Sequence, residues 1–266
     1  MTMPGWTIKA LWIGSSLSKI EQLSLASFVY HGHKTELFAY EDIQGVPSGV
    51  TLRDANQILP EAKIFKYKSR PSYACFANWF RYEMLYREGG IWVDTDVVCL
   101  KPFDMQFELL AGWEQLGKIN NAVIGANAGD PLFEFLSAQC KEPNTPLPYD
   151  NRRDRRRKFL RRYFQGNQQG NLKWGETGPI GLTKAMQHFK RLEQVLPVTA
   201  FYPIHPTCWN TIFDTTYPSV DRYFPDSYAI HLWNEMIRRT PGYGKDKTYP
   251  TNSLIEVLKQ KYLSAA

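Results

Sequence analysis

Apolar and polar positions along this chain fall into two alternating periods. Ile8 to Ile13, apolar but for Lys9 and closed by Gly14-Ser15-Ser16, reads as a buried first strand. Leu17 to Tyr30 then sets Ile20, Leu23, Leu25, Phe28 and Val29 in a helical stretch that Gly32 stops. Thr35 to Ala39 returns to strand character. Strand, helix and strand in this order predict a parallel βαβ unit. Open sheets of that kind bind ligands beyond the carboxyl ends of their strands, which puts Trp12, Gly14 and Ser15 on the ligand side.

Leu52 to Leu59 predicts a short helix stopped by Pro60, and Ile64 to Tyr67 a short strand. Ser72 to Glu88 carries Phe76, Trp79, Phe80 and Met84 at helical spacing, and Gly89-Gly90 ends it. Ile91 to Val93 and Val97 to Leu100 read as strand segments on either side of Asp94-Thr95-Asp96. In the second half, 122–126 reads as a strand, and 131–140 as a helix with Asp130 as its cap. Residues 142–150, with Pro143, Pro146 and Pro148, form a loop, and the glycine-rich 166–175 another. Helices are predicted over 151–164, 181–189 and 252–263, strands over 199–204 and 227–232. Neither a repeat nor a linker interrupts the pattern. The fold class is α/β with a mostly parallel central sheet, one domain over 1–266.

Composition narrows this. Apolar residues make up 43% and charged residues 22%, the balance of a globular chain. The 8 Trp and 15 Tyr supply flat faces with polar handles suited to sugars or bases. The net charge of +6 is local: Arg152, Arg153, Arg155, Arg156, Arg157, Lys158, Arg161 and Arg162 crowd one segment, and without them the chain would be slightly acidic. That segment reads either as a solvated helix or as an amphipathic helix docking on anionic lipid through 152–164, with Phe159, Leu160, Tyr163 and Phe164 as its apolar part. Cys75, Cys99, Cys140 and Cys208 show neither zinc nor redox spacing. No apolar run reaches the length of a membrane span, and 1–10 lacks a signal-peptide core. A cytoplasmic protein is expected, peripheral on the inner face of the membrane in the docking case.

The chemistry centres on Asp94 and Asp96. On a strand, positions i and i+2 share a side. Two carboxylates ~6 Å apart repel by about 3 kcal/mol at an effective dielectric near 20. A divalent cation between them removes that cost and points to a phosphate-bearing substrate. A calcium-binding EF-hand is excluded, because Val97-Val98 follows in place of further oxygen ligands and glycine.

With Ala77-Asn78-Trp79-Phe80-Arg81-Tyr82 before it, Gly89-Gly90-Ile91-Trp92-Val93-Asp94-Thr95-Asp96 resembles the sugar-binding Asp-x-Asp region of glycosyltransferase family 32. That family includes bacterial capsule and lipopolysaccharide transferases and glucosylating toxins, with α-1,4-galactosyltransferases as near relatives. Leu11-Trp12-Ile13-Gly14 and His231-Leu232-Trp233-Asn234 extend the likeness. The resemblance implies a GT-A type, Rossmann-like fold, with 1–104 as the nucleotide-binding half and 105–266 as the acceptor side. It implies Asp96 as a ligand of Mn²⁺ or Mg²⁺. Asp94 would bind the donor's ribose or sugar, or reach the metal through water. His231 is a candidate further ligand, and equally a hydrogen-bonded strand histidine beside Trp233. Arg81 would contact the diphosphate or the donor sugar, Asn78 the sugar's hydroxyls, and Trp12 would stack on the base. Trp233 and Asn234 complete the expected nucleotide-sugar site. Asn78 departs from the family's Asp, and an amide donates where a carboxylate only accepts.

Within Trp174-Gly175-Glu176-Thr177-Gly178-Pro179, Glu176 reads as a helix cap or a substrate contact. The implied reaction is metal-dependent, retaining transfer of a hexose or N-acetylhexosamine from a nucleotide sugar, UDP-linked, to a cell-surface glycan or lipid-linked glycan precursor. A toxin-like protein glycosyltransferase is the competing enzyme. A nucleic-acid-binding module built on 152–162 is the non-enzyme alternative, but it leaves the aspartate pair unexplained, so no nucleic-acid partner is expected.

Overall fold

The computed structural model describes residues 5–69 and 71–264. In chain order its elements are β1 (Ile8–Leu11), α1 (Lys19–Tyr30), β2 (Thr35–Ala39), β3 (Val50–Asp54), α2 (Ala74–Glu88), β4 (Gly90–Val93), β5 (Val97–Cys99), β6 (Leu109–Gln115), β7 (Lys118–Ala126), α3 (Pro131–Lys141), α4 (Arg152–Phe164), α5 (Pro179–His188), α6 (Val198–Phe201), α7 (Val220–Tyr223), β8 (Ala229–His231), α8 (Asn234–Arg239) and α9 (Leu254–Leu263). They divide into two compact units. One is drawn from Met1–Asp54, Ile91–Phe107 and Leu196–Ala266, the other from Ala55–Gly90 and Glu108–Val195.

In the first unit β1 pairs in parallel with β2 (Ile8 opposite Thr35) and with β4 (Ile8 opposite Ile91), and β2 pairs in parallel with β3. The four residues of β1 and the five of β2 are all buried. That burial takes in polar residues as well as apolar ones: Lys9 in β1, and Thr35 and Glu36 in β2. A second ladder joins β5 antiparallel to β8, with Val97 opposite His231. Helix α1 packs on β5 and α9. It is started by a capping box, in which the Ser18 backbone N–H donates to Glu21 Oε2 at 2.9 Å.

The second unit pairs β6 with β7 as an antiparallel hairpin, α2 against α3, and α5 against β7. Helix α2 buries Phe76, Phe80, Tyr82, Met84 and Leu85, each worth roughly 1.5–3 kcal/mol when fully removed from water. It ends at Gly89, whose φ of 62° and ψ of −164° suit glycine alone. A Cβ there would lie 2.5 Å from the Ala128 amide nitrogen.

The mixed α/β class and the mostly parallel pairing are as expected. Four local expectations fail. Residues 52–59 are not a helix: Val50–Asp54 is an edge strand, because β2 offers an open parallel edge, and only Ala55–Gln57 makes a single 3₁₀ turn. Residues 64–67 belong to no strand among the described residues. Residues 199–204 begin as the short helix α6 after Pro197. Strand β6 and the first part of β7 were not anticipated, since their glycine, asparagine and charged residues interrupt the apolar alternation.

Candidate active site

Strand β4 delivers Asp94 at its carboxyl end, but Asp94 and Asp96 do not continue that strand. They form a turn closed by the Val97 N–H donating to the Asp94 carbonyl at 3.0 Å. The two carboxylates converge through this turn. The β5–β8 ladder then brings His231 to them, a residue 135 positions from Asp96 in sequence. One ligand atom from each of Asp94, Asp96 and His231 lies within 4.8 Å of the others. His231 Nε2 stands 3.2 Å from Asp96 Oδ1, and both side chains are buried.

Every neighbour of this trio is oriented by it. The Trp92 indole N–H donates to Asp94 Oδ1 at 2.8 Å. The Asn234 backbone N–H donates to Asp96 Oδ2 at 2.8 Å, and the Leu232 N–H to the Asp96 carbonyl at 2.8 Å. Trp233 adopts φ 58° and ψ 49°, a left-handed conformation costing a bulky residue about 1–3 kcal/mol. That bend turns the Asn234 amide back onto Asp96. The Trp233 ring packs on His231 with centroids 4.2 Å apart, and its N–H donates to the Ile204 carbonyl. Burial by itself would push the Asp96 carboxyl up. The His231 imidazole, the Asn234 N–H and the Lys245 ammonium outweigh it and hold the group below its ordinary value.

Two carboxylates and an imidazole within one coordination sphere fit a divalent ion. Trp12 follows β1 and sits half-buried with the Lys245 ammonium 5.4 Å from its ring. The Trp12 indole nitrogen and Asn234 Oδ1 are among the buried polar atoms here without a hydrogen-bond partner.

Glu21 and Lys245 escaped the sequence reading. The fully buried Glu21 carboxylate accepts from Asn234 Nδ2 at 2.9 Å and pairs with Lys245. The Ser18-x-x-Glu21 capping box was visible in the sequence; the partners that make Glu21 part of the site lie more than 200 residues away.

Asn78 and Arg81 lie on α2 in the second unit, both buried. Arg81 Nη1 donates to the Asn121 carbonyl at 2.5 Å, and its Nε to the Ala77 carbonyl at 3.2 Å. The Asn121 amide donates to Asn78 Oδ1 at 2.8 Å, so Asn78 turns its own NH₂ toward Thr177 Oγ1 at 3.4 Å. Glu176 is not the cap of α5; Gly178 holds that position. Glu176 instead accepts from both sides of its carboxylate, with Arg161 Nη1 3.0 Å from each oxygen.

A parallel α/β unit with an Asp-x-Asp turn and a histidine closing on it has the outline of a nucleotide-sugar transferase. Comparison with known proteins specifies the outline. Residues 30–115 match the glycosyltransferase sugar-binding region containing the DXD motif, and residues 154–262 the alpha 1,4-glycosyltransferase conserved region. Both matches are to glycosyltransferase models, and the resemblance to family 32 fits them. It is 24% identical over 231 residues to human alpha-1,4-N-acetylglucosaminyltransferase, covering 79% of this chain and 58% of that one. It is 26% identical over 172 residues to human lactosylceramide 4-alpha-galactosyltransferase, covering 60% and 41%. The chain thus spans about half the length of the curated relatives it matches. Among solved structures, the glycosyltransferase domain from the YGT toxin is similar at a TM-score of 0.48, with 8% identity over 98% and 94% of the two chains. No helix among the described residues is long and apolar enough to cross a membrane.

Proposed function

We propose that this protein moves a hexose or N-acetylhexosamine from a UDP-sugar to a glycan precursor of the cell surface, with retention of anomeric configuration. The observation that carries the reading is the convergence of Asp94, Asp96 and His231 on one point. A divalent ion held there supplies positive charge against the departing diphosphate. Trp12 offers its indole face to the base, and Trp233 and Asn234 the remaining contacts on that side. The family likeness adds Arg81 for the diphosphate or sugar and Asn78 for the sugar. In the transfer the acceptor oxygen bonds to the anomeric carbon, the bond from that carbon to the phosphate oxygen breaks, and the acceptor proton passes to the phosphate. Such a step rests on positioning and electrostatics rather than on a protein nucleophile.

The same reading seats α4 at an anionic membrane, on the cytoplasmic side, where a lipid-linked acceptor is found. In support, Asp154, Lys158 and Arg161 form the buried side of this helix. Phe159, Leu160, Tyr163 and Phe164 project away from it at 54%, 41%, 64% and 74% exposure, with Arg152, Arg153 and Arg156 among them. Basic and apolar side chains sharing one face suit lipid headgroups.

The test is thermal stability against a panel of nucleotide sugars with and without Mn²⁺, followed by product analysis. A donor at 100 times its dissociation constant stabilises the fold by about 2.7 kcal/mol. Asp96→Asn preserves shape and is expected to abolish the Mn²⁺-dependent part of that shift. An undiminished shift in the variant removes Asp96 from the metal site, and an inverted anomer by NMR overturns the retaining assignment.

A further inference from the structure

The second unit holds a cavity of about 250 Å³ that the nucleotide-sugar reading leaves unused. Its wall runs from the inner edge of α4 to the Trp174–Thr177 turn and the start of α5. Thr177, which lines it, is also the residue whose hydroxyl accepts from Asn78. The cavity therefore adjoins the side chain that the family likeness gives to the transferred sugar.

The lining combines two aromatics, Trp174 and Tyr149, with charges held mostly in pairs. Trp174 is 39% exposed and stands 5.3 Å from Tyr67, centroid to centroid. Lys158 Nζ meets Asp150 Oδ2 at 2.7 Å, both buried. Arg157 Nη2 meets Asp154 Oδ1 at 2.9 Å, and Lys184 reaches the other Asp154 oxygen at 3.5 Å. Beside each of these pairs an ionic ligand of either sign would meet a like charge as well as an opposite one; Lys173 and Glu176 complete the charged lining. A neutral polyol meets no such conflict, because each hydroxyl both donates and accepts and so can serve a carboxylate and a cation together.

One further group on the wall suits that kind of partner. The Tyr149 hydroxyl accepts from Gln139 at 2.8 Å, and burial pushes its pKa up to about 12, so it keeps a proton to donate. The volume lies below the ~300–1,000 Å³ of sites for larger organic ligands, which limits the occupant to about one ring. An apolar sugar face on Trp174 with hydroxyls toward charged partners is standard carbohydrate chemistry.

We propose that this cavity binds the acceptor, taking one neutral pyranose ring with Trp174 as its platform and the Tyr149 hydroxyl as a hydrogen-bond partner. The assignment rests on the transferase reading for the word acceptor, but the sugar site itself can be tested apart from it. Methyl glycosides of galactose, glucose, mannose and N-acetylglucosamine would be titrated into the full chain and followed by saturation-transfer NMR. At least one is expected to bind. Trp174→Ala should weaken it tenfold or more, Trp174→Phe should recover most of the affinity, and Tyr149→Phe should weaken it with the ring retained. The UDP and Mn²⁺ thermal shift, read on the same samples, should survive all three changes. Retention of that shift in the wild type with no Trp174-dependent glycoside signal overturns the cavity assignment. Loss of the UDP shift in the wild type with glycoside binding intact overturns the transferase reading and leaves the sugar site standing.

Discussion

Replacing Gly89 with alanine attacks the joint between α2 and the strand that carries the aspartates. Two costs add. At φ 62° and ψ −164° the backbone lies in a region that residues with a Cβ scarcely enter, worth about 1–3 kcal/mol. The new methyl would also stand 2.5 Å from the Ala128 nitrogen and 2.9 Å from the Ala126 carbonyl oxygen. Both are backbone atoms that cannot rotate away, so the overlap costs about a further 1–3 kcal/mol. The lower entropy of alanine in the unfolded chain returns roughly 0.4–1 kcal/mol. The net loss is about 1–5.5 kcal/mol. For a chain of this size that is a fall in melting temperature of roughly 2–20 °C, at ~2–4 °C per kcal/mol. Gly117→Ala is the control: its φ is 77°, yet a Cβ there meets nothing within 4 Å. It should lose only the conformational part, about 1 kcal/mol. Urea midpoints of the two variants decide the matter. Equal losses would refute the steric half of the reasoning, and an unchanged Gly89→Ala midpoint would refute all of it.

Other consequences follow from burial and charge. Lys158→Met leaves the buried Asp150 carboxylate with the Leu147 N–H but without its cation; a loss of about 3–5 kcal/mol is expected, and Lys158→Met with Asp150→Leu together should recover most of it in a double-mutant cycle. His31 is held near pKa 4 by burial and by the neighbouring Lys261 and His33. Its folded value lies below its unfolded one, so the folded state releases protons and its stability is full above about pH 6.5 and falls as the pH drops toward about 4. The loss is roughly 1–2 kcal/mol after solvent screening, and His31→Gln should flatten that limb of the stability–pH curve. Vesicles containing phosphatidylglycerol should sediment the protein in a salt-sensitive way, and Phe159→Ser with Phe164→Ser should weaken this several-fold; equal binding to neutral vesicles would sink the headgroup account.

Much of the first unit was legible in local sequence. The strand–helix–strand order read over 8–39 stands as β1, α1 and β2, because parallel pairing buries both strands along their whole length, Lys9, Thr35 and Glu36 included. The helix over 72–88 was legible through its spacing and its double-glycine stop. Residues 52–59 were misread, because what decides between a short helix and an edge strand there is the open edge of β2, which no window of sequence contains. The 109–126 hairpin was largely missed for a related reason. Its glycine, asparagines and lysine break the pattern locally, and pairing between the two strands makes up for what each lacks.

Sequence by itself determined the chemistry: two carboxylates two residues apart, a glycine-terminated helix before them, and with these the family resemblance. It also marked His231, Trp233 and Asn234, through a four-residue echo. Only the tertiary structure decided how these groups meet. Asp94 and Asp96 converge through a turn rather than along a strand, and antiparallel pairing of β5 with β8 sets His231 against Asp96. The left-handed Trp233 aims the Asn234 amide, and a buried Glu21 ties that asparagine to Lys245. The reason is physical. Ligand geometry and the pairing of buried charges depend on distances of a few ångströms between residues far apart in the chain, and only the closed fold sets those distances.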